Sequence, residues 1–112
     1  MSALNLNKVI IAGHLTHDPE LKQTPSGATT TSFRIAVNRK YSKDGNTEAD
    51  FITAVAWRST AEFVCRYFKK GSAILVTGAL QTRTWKDKDG GNRHAVEVIA
   101  DEVMFVDGKG AN

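Results

Sequence analysis

The sequence predicts an all-β domain, a five-stranded Greek-key barrel with one helix between strands 3 and 4. Two observations predict this class. Five short segments carry strand patterns, and one segment of about three turns with a helical period separates the third from the fourth. A two-layer α+β sandwich would also accept this order. However, one short helix covers a five-stranded sheet poorly, whereas closing the sheet into a barrel removes its exposed edges.

The first three strands are predicted from β-branched residues and from apolar–polar alternation. Residues 8–13 are rich in valine and isoleucine, which favours a strand covered on both faces. Residues 30–41 and 51–57 alternate with period two, so neighbouring side chains point to opposite sides of the sheet. Turn residues at 25–27 and 44–46 separate these three segments.

The helix is the best-signalled local element. Ser59 and Glu62 have the spacing of a capping box, in which each side chain would bond the other residue's backbone N–H. Val64 and Phe68 form one apolar stripe, and Gly71 suits a left-handed C-cap.

Two further strands follow at residues 73–85 and 94–106, joined by a hairpin tip at 87–92. The residues expected to face the barrel interior are Ile74, Val76, Gly78, Leu80, Val96, Val98 and Ala100. This order of strands around a single helix matches the OB-fold. We expect residues 1–106 to form the domain and residues 107–112 to be a short flexible C-terminal end.

Composition excludes several classes of protein. The chain has 112 residues, 15 Lys+Arg and 12 Asp+Glu, so its formal charge is only +3. The lone Cys65 cannot form an intramolecular disulfide. The sequence has neither an apolar run long enough for a membrane span nor a signal peptide, so we expect a cytoplasmic location.

Motifs of enzymes are missing from the sequence. It contains no phosphate-binding glycine loop, no nucleophile elbow and no zinc-protease motif. His14 and His17 form the only close histidine pair, but no third ligand is placed with them. We therefore expect no catalytic activity, no metal and no cofactor.

Four aromatic residues do not fit a core position: Tyr41, Phe51, Trp57 and Trp85. All except Phe51 have a lysine or arginine within two residues. Aromatic faces interleaved with cations suit single-stranded nucleic acid, because each stacked base contributes about 1–3 kcal/mol and the cations follow the phosphates. The alternatives are an oligomer interface for Phe51 and Trp57 and a hairpin cap for Trp85.

Several motifs resemble those of the bacterial single-stranded DNA-binding protein (SSB) family. They are NKVIIAGHL at residues 7–15, DPE at 18–20, YFKKGS at 67–72 and RTWKD at 83–87. The resemblance covers residues 5–106. It implies an OB-fold that assembles as a homotetramer, a dimer of dimers. It also implies a nucleoid-associated role, coating single-stranded DNA in replication, recombination and repair without reading its sequence.

The resemblance also implies site residues. The stacking positions of the family fall on the four spare aromatic residues, and its phosphate-contacting positions fall on Lys8, Lys43, Lys70, Arg83 and Arg93. Other basic positions of the family are Thr53, Gln81 and Thr84 here, and three further cations can substitute for them: Arg34, Arg58 and Lys86.

Partners and rival functions are expectations of the same kind. The family commonly carries a disordered tail with an acidic tip that recruits replication and repair proteins, so we expect such partners only if the intact protein has that tip. Pairing of strand edges through residues 4–11 would support oligomerisation. The alternatives are a primosome-type OB dimer acting mainly as a protein-interaction module, and an RNA-binding OB module.

Overall fold

The computed structural model describes residues 4–40 and 48–106. These residues form six strands and one helix. The elements are β1 (Val9–Leu15), β2 (Lys22–Gln23), β3 (Thr29–Asn38), β4 (Ala49–Trp57), α1 (Arg58–Tyr67), β5 (Ala73–Lys86) and β6 (Asn92–Phe105).

The sheet closes into a barrel. Its strand order is β1-β5-β6-β4-β3, and β1 returns to pair with β3 at His14–Ala36 and Leu15–Ile35. All the pairings are antiparallel except that of β4 with β6. A Cβ added to Gly13 would overlap the carbonyl of Ala36, so the closing strands approach closely because residue 13 has no side chain. The predicted OB-fold barrel is confirmed, with the helix between its third and fourth long strands.

The structure adds one strand that the sequence pattern does not predict. β2 has two residues, Lys22 and Gln23, and it pairs with the beginning of β3. Two residues are too few to carry a period, so only the pairing identifies this strand. The predicted turn at residues 25–27 joins β2 to β3, and Gly27 there has a φ of 93°.

The core lies inside the barrel and under the helix. Ala54 and Ala56 of β4 are fully buried, and their small side chains leave room for Ile35 of β3 and for Val64 and Phe68 from the helix side. The other buried apolar residues are Leu15, Phe33, Ala61, Ile74, Val76, Val98, Ala100 and Val103. Thr31 is the buried polar residue of the described part of the chain, with 1% of its surface exposed.

A β-bulge changes which residues of β6 face the core. Thr77 pairs with Glu102 but Gly78 pairs with Ala100, so Asp101 is an extra residue on β6. A Cβ added to Gly78 would overlap the carbonyl of Ile99, and a glycine is therefore needed where the strands converge. Beyond the bulge the inward side shifts by one residue, which buries Val103.

The expected inward orientation of Leu80 and Val96 is wrong. They are 44% and 57% exposed. β5 and β6 are each 14 residues long and extend beyond the barrel as a hairpin, so the alternation continues where the barrel no longer covers it.

The helix begins two residues earlier than the capping box predicts, since that motif would make Ser59 the N-cap. Its N-cap is Trp57, which makes no side-chain capping hydrogen bond. Glu62 instead accepts a hydrogen bond from the Thr29 hydroxyl at 3.4 Å. Arg58 has a φ of 54°, a left-handed conformation that turns the chain from β4 into the helix. The predicted C-cap at Gly71 is wrong, because the helix ends at Tyr67 and its C-cap is Phe68 in an extended conformation. Gly71 lies in the turn that follows, with a φ of 89°, and its N–H donates to the Leu15 carbonyl at 2.8 Å. Within the described residues no helix has the length and apolarity that crossing a membrane requires.

Candidate nucleic-acid interface

Two of the predicted stacking residues lie on the outer face of β4. Phe51 is 54% exposed and Trp57 is 41% exposed, whereas their alternate neighbours point into the barrel. Six residues of extended chain separate the two rings, which corresponds to roughly 20 Å. The sequence prediction that both rings lie outside the core is confirmed.

Trp85 lies on the hairpin that β5 and β6 form beyond the barrel, with 42% of its surface exposed. It pairs directly with Arg93. β4 and β6 pair in parallel, with Val55 beside Ile99, so these two side chains share one face of the sheet. Side chains alternate along each strand, so Arg93 lies on the same outer face as Phe51. Trp85 therefore extends the outer face of β4 onto the hairpin.

Two arginines lie over these rings. The guanidinium carbon of Arg83 is 4.5 Å from the centre of the Trp85 ring, and that of Arg34 is 5.3 Å from the centre of the Phe51 ring. Both distances are within the range of cation–π attraction, so each arginine is held beside an aromatic face. At Trp85 the aromatic ring and the cation are adjacent both in sequence and in space, whereas at Phe51 only the fold brings a cation to the ring.

Carboxylates bind two of the cations expected to contact phosphate. Arg83 forms an ion pair with Glu97 at 3.2 Å, and the Glu97 side chain is only 13% exposed. Arg93 donates from Nε to Asp87 Oδ2 at 3.0 Å. The sequence analysis missed both pairs because the carboxylates look scattered along the chain. The hairpin register, which sets Gln81 opposite Glu97, is the signal that could have revealed the first pair.

Asp87 organises the tip of the hairpin. Its Oδ1 accepts hydrogen bonds from the N–H groups of Asp89 and Gly91, both at 2.9 Å. The N–H of Gly91, followed by the guanidinium of Arg93, holds the pKa of the Asp87 carboxyl below its usual value of 3.8. This carboxylate therefore fixes the loop beside Trp85 and also positions Arg93.

The remaining described cations of the predicted set are all exposed, but they lie at different places. Arg58 follows Trp57 at the beginning of the helix, and Lys86 follows Trp85 at the end of β5. Lys70 lies in the turn after the helix, where its backbone N–H donates to Asp18 Oδ1 at 2.7 Å. Lys8 precedes β1. Tyr41 and Lys43 lie outside the described residues.

Arg39 is a charged residue that the sequence analysis did not single out. It binds Asp50 through Nη2 at 2.9 Å and Glu48 through Nη1 at 3.4 Å. The hydrogen bond from Arg39 lowers the pKa of the Asp50 carboxyl. These contacts join the end of β3 to the beginning of β4, next to Phe51.

A second aromatic cluster lies at the end of the helix. Phe68 and Phe105 stack with ring centres 4.9 Å apart, and Phe63 and Tyr67 pack against Phe105 at 5.6 and 6.1 Å. Phe105 is the last residue of β6 and is 57% exposed. In the part of the chain that the structure describes, no three histidine, cysteine or acidic side chains are grouped as metal ligands would be.

The fold and this face define a class, an OB-fold domain whose outer surface combines exposed aromatic rings with arginines. Comparison with known proteins identifies the family. Residues 6–106 match the Single-strand binding protein family, and the chain belongs to that family.

Relatives in several bacteria support this membership. The chain is 48% identical over 107 residues to the single-stranded DNA-binding protein of Oceanobacillus iheyensis, which covers 95% of the chain and 66% of the relative. It is 48% identical over 103 residues to that of Clostridium tetani, covering 91% and 71%. It is 46% identical over 109 residues to single-stranded DNA-binding protein 2 of Clostridium acetobutylicum, covering 96% and 82%. The chain thus spans about two thirds of the length of the first of these proteins.

Proposed function

We propose that this domain binds single-stranded DNA without catalysis and without reading its sequence. The observation that supports this most is the exposure of Phe51, Trp57 and Trp85, each more than 40% accessible, on one outer face. A folded domain gains nothing from leaving three large rings in water, whereas bases can stack on all three. Relatives at 48% identity carry the name of this activity.

Binding would combine stacking with neutralisation of phosphates. Arg83 lies over Trp85 and Arg34 over Phe51, so a base entering at either ring takes the place of a guanidinium. The displaced arginine remains within reach of the phosphate of the same nucleotide and exchanges a cation–π contact for a charge-assisted hydrogen bond. Every base has a π-face and every nucleotide has a phosphate, so this exchange is independent of sequence.

Assembly is part of the proposal. β1 pairs with β5 along residues 9–14, but within the described residues its other edge pairs with β3 only at His14 and Leu15. The free edge and the exposed side chains of Leu4, Leu6 and Ile10 support pairing with a second copy. We infer a homotetramer, a dimer of dimers, that coats single strands in the cytoplasm during replication, recombination and repair.

Titration with oligo-dT at two salt concentrations, followed by tryptophan fluorescence, tests the function. Stacking should quench Trp57 and Trp85, and about five phosphate contacts should give a slope of about −3.5 in log affinity against log salt. Trp85→Ala should weaken binding by about 1–3 kcal/mol, whereas Trp85→Phe should retain most of the affinity. Binding without quenching and without salt dependence would contradict the proposal.

Two measurements separate the alternatives. Competition between oligo-dT and oligo-U distinguishes DNA from RNA as the ligand, because an RNA-binding OB module would favour oligo-U. Multi-angle light scattering distinguishes a tetramer from the dimer that a primosome-type module would form. A dimer that fails to quench with oligo-dT would favour that alternative.

A further inference from the structure

A pocket of about 240 Å³ opens on the outer face of the barrel. It is lined by His17, Asp18, Ser32, Phe33, Arg34 and Thr53. Its floor is formed where β3 and β4 pair, with Arg34 directly opposite Thr53. Thr53 lies on the same side of β4 as Phe51 and Trp57 and between them in sequence. The pocket therefore lies between the two stacking rings.

The pocket offers both kinds of hydrogen-bonding group. The Arg34 guanidinium only donates, the Asp18 carboxylate only accepts, and the hydroxyls of Ser32 and Thr53 do either. Asp18 is fixed in place, because its Oδ1 accepts the backbone N–H of Lys70 at 2.7 Å. A site in which a fixed hydrogen-bond acceptor lies beside donors suits a ligand whose edge also carries both a donor and an acceptor.

These groups distinguish between the two parts of a nucleotide. A phosphate presents only acceptors, so it can bind Arg34 at the rim beside Phe51, but inside the pocket the carboxylate of Asp18 would repel it. On its Watson–Crick edge every nucleobase presents at least one donor and one acceptor side by side, and in a single strand that edge is free. The two hydroxyls can rotate to match whichever edge enters, which makes such a site tolerant of sequence.

The spacing of the rings agrees with this assignment. Phe51 and Trp57 are separated by roughly 20 Å of extended strand, too far for two adjacent nucleotides to stack on both. A strand that stacks on both rings therefore has at least one nucleotide between them, level with the pocket along the sheet. Arg34 is already held at one wall by its contact with the Phe51 ring, 5.3 Å from the ring centre.

We propose that this pocket receives the edge of a nucleobase between the two stacking rings, hydrogen-bonded to Ser32, Thr53 and Asp18. The inference rests on the proposed binding of single-stranded DNA and adds a subsite to it. The domain thereby binds the strand through both the faces and the edge of its bases.

The test compares two oligonucleotides of equal length on the full chain. One is oligo-dT, and the other carries difluorotoluene, which has the shape of thymine but no hydrogen-bonding edge. The protein should prefer oligo-dT, and the double variant Ser32→Ala/Thr53→Val should reduce that preference about fivefold. Thr82→Val, an exposed threonine on the opposite face of the hairpin from Trp85, should leave the preference unchanged.

The outcomes distinguish this inference from the proposed function. A double variant that keeps the full preference for oligo-dT overturns the subsite. An equal loss of affinity for both oligonucleotides shows that the hydroxyls do not contact the base edge, and it also overturns the subsite. If the unsubstituted protein does not bind oligo-dT at all, the proposed function itself fails.

Discussion

The side chain of Asn7 brackets the backbone of Leu80. Its Nδ2 donates to the Leu80 carbonyl at 2.7 Å, and its Oδ1 accepts the Leu80 N–H at 2.8 Å. β1 begins at Val9, which pairs with Gly78. Asn7 and Leu80 lie two residues beyond that pair on each strand, so the side-chain amide of Asn7 makes the hydrogen bonds that a backbone peptide would make there. Leu80 is the first exposed residue of β5, the point where the hairpin carrying Trp85 leaves the barrel.

Asn7→Ala should loosen the base of this hairpin. Two hydrogen bonds are lost at an exposed site, so we expect the free energy of unfolding to fall by about 1–2 kcal/mol. Urea denaturation measures the loss, and the amide hydrogen exchange of Leu80 should accelerate because its N–H loses the acceptor. Affinity for oligo-dT should also fall, since Trp85 is held less firmly.

Two variants control this prediction. Asn7→Asp keeps the acceptor for the Leu80 N–H but loses the donor, and it should protect the Leu80 amide where Asn7→Ala does not. Asn5→Ala makes the same truncation at an exposed residue two positions earlier and should change neither quantity. Unchanged exchange at Leu80 in Asn7→Ala would show that the bracket does not support the hairpin.

The alternation of apolar and polar residues predicts which side chains of a strand face the core, as long as the strand lies within the barrel. Alternation in β4 places Phe51 and Trp57 outside and Ala54 inside, and the structure agrees. The same rule fails for Val96, because the pattern cannot tell how far a hairpin extends beyond the barrel that buries it. It also misses the bulge at Asp101, because one extra residue shifts the register of β6 without leaving a recognisable pattern in the sequence.

The charge network of the site is equally hidden in the sequence. Arg83 and Glu97 are 14 residues apart and become neighbours only through the register of β5 and β6. A small net charge of +3 says nothing about such pairs, because pairing depends on placement and not on the sum. The exposure of the aromatic rings could thus be predicted from the sequence, whereas the carboxylates that bind the neighbouring arginines could not.

Glu97→Gln should strengthen binding of single-stranded DNA. The Glu97 carboxylate holds Arg83 at 3.2 Å, so a phosphate must first displace it. An ion pair of which one partner is exposed is worth up to about 1 kcal/mol, so the affinity for oligo-dT at low salt should rise about two- to fivefold. Fluorescence titration measures the change.

Asp101→Asn serves as the matched control for Glu97→Gln. It alters the net charge by the same amount at an exposed residue on the bulge of β6. Only the general electrostatic attraction should respond there, with a smaller gain in affinity. Equal gains from both variants would mean that net charge, and not the release of Arg83, sets the affinity.

Asp87→Asn should make the stability of the fold less dependent on pH in the acid range. Hydrogen bonds from Gly91 and Arg93 lower the pKa of the folded-state Asp87 carboxyl below 3.8. A lowered pKa adds stability that is present above the unfolded pKa, about 3.9, and is lost as the pH falls through the folded value. The variant should therefore melt at a lower temperature at neutral pH, with the difference narrowing below about pH 4.

Melting temperatures recorded between neutral pH and acid measure this difference. Asp89→Asn is the control. It also removes a carboxylate from the hairpin tip, but these hydrogen bonds go to the Asp87 carboxylate and not to that of Asp89. The difference between that variant and the unsubstituted protein should vary little with pH. A constant difference for Asp87→Asn would contradict the assignment.

Thr31→Val should stabilise the fold. The Thr31 hydroxyl is buried, and within the described residues its Oγ1 has no hydrogen-bond partner. Burying an unpaired hydroxyl costs about 1–3 kcal/mol, and valine fills nearly the same volume without that cost. Both side chains are β-branched and suit a strand equally, so the free energy of unfolding should rise by about 1 kcal/mol.

Thr31→Ser separates the hydroxyl from the methyl group. It keeps the unpaired oxygen and removes one buried methyl, so it should destabilise the protein by about 1 kcal/mol. Urea denaturation with unchanged m-values would show that both variants act on the folded state. If Thr31→Val instead destabilises the protein, the hydroxyl is paired in the folded state and the prediction is wrong.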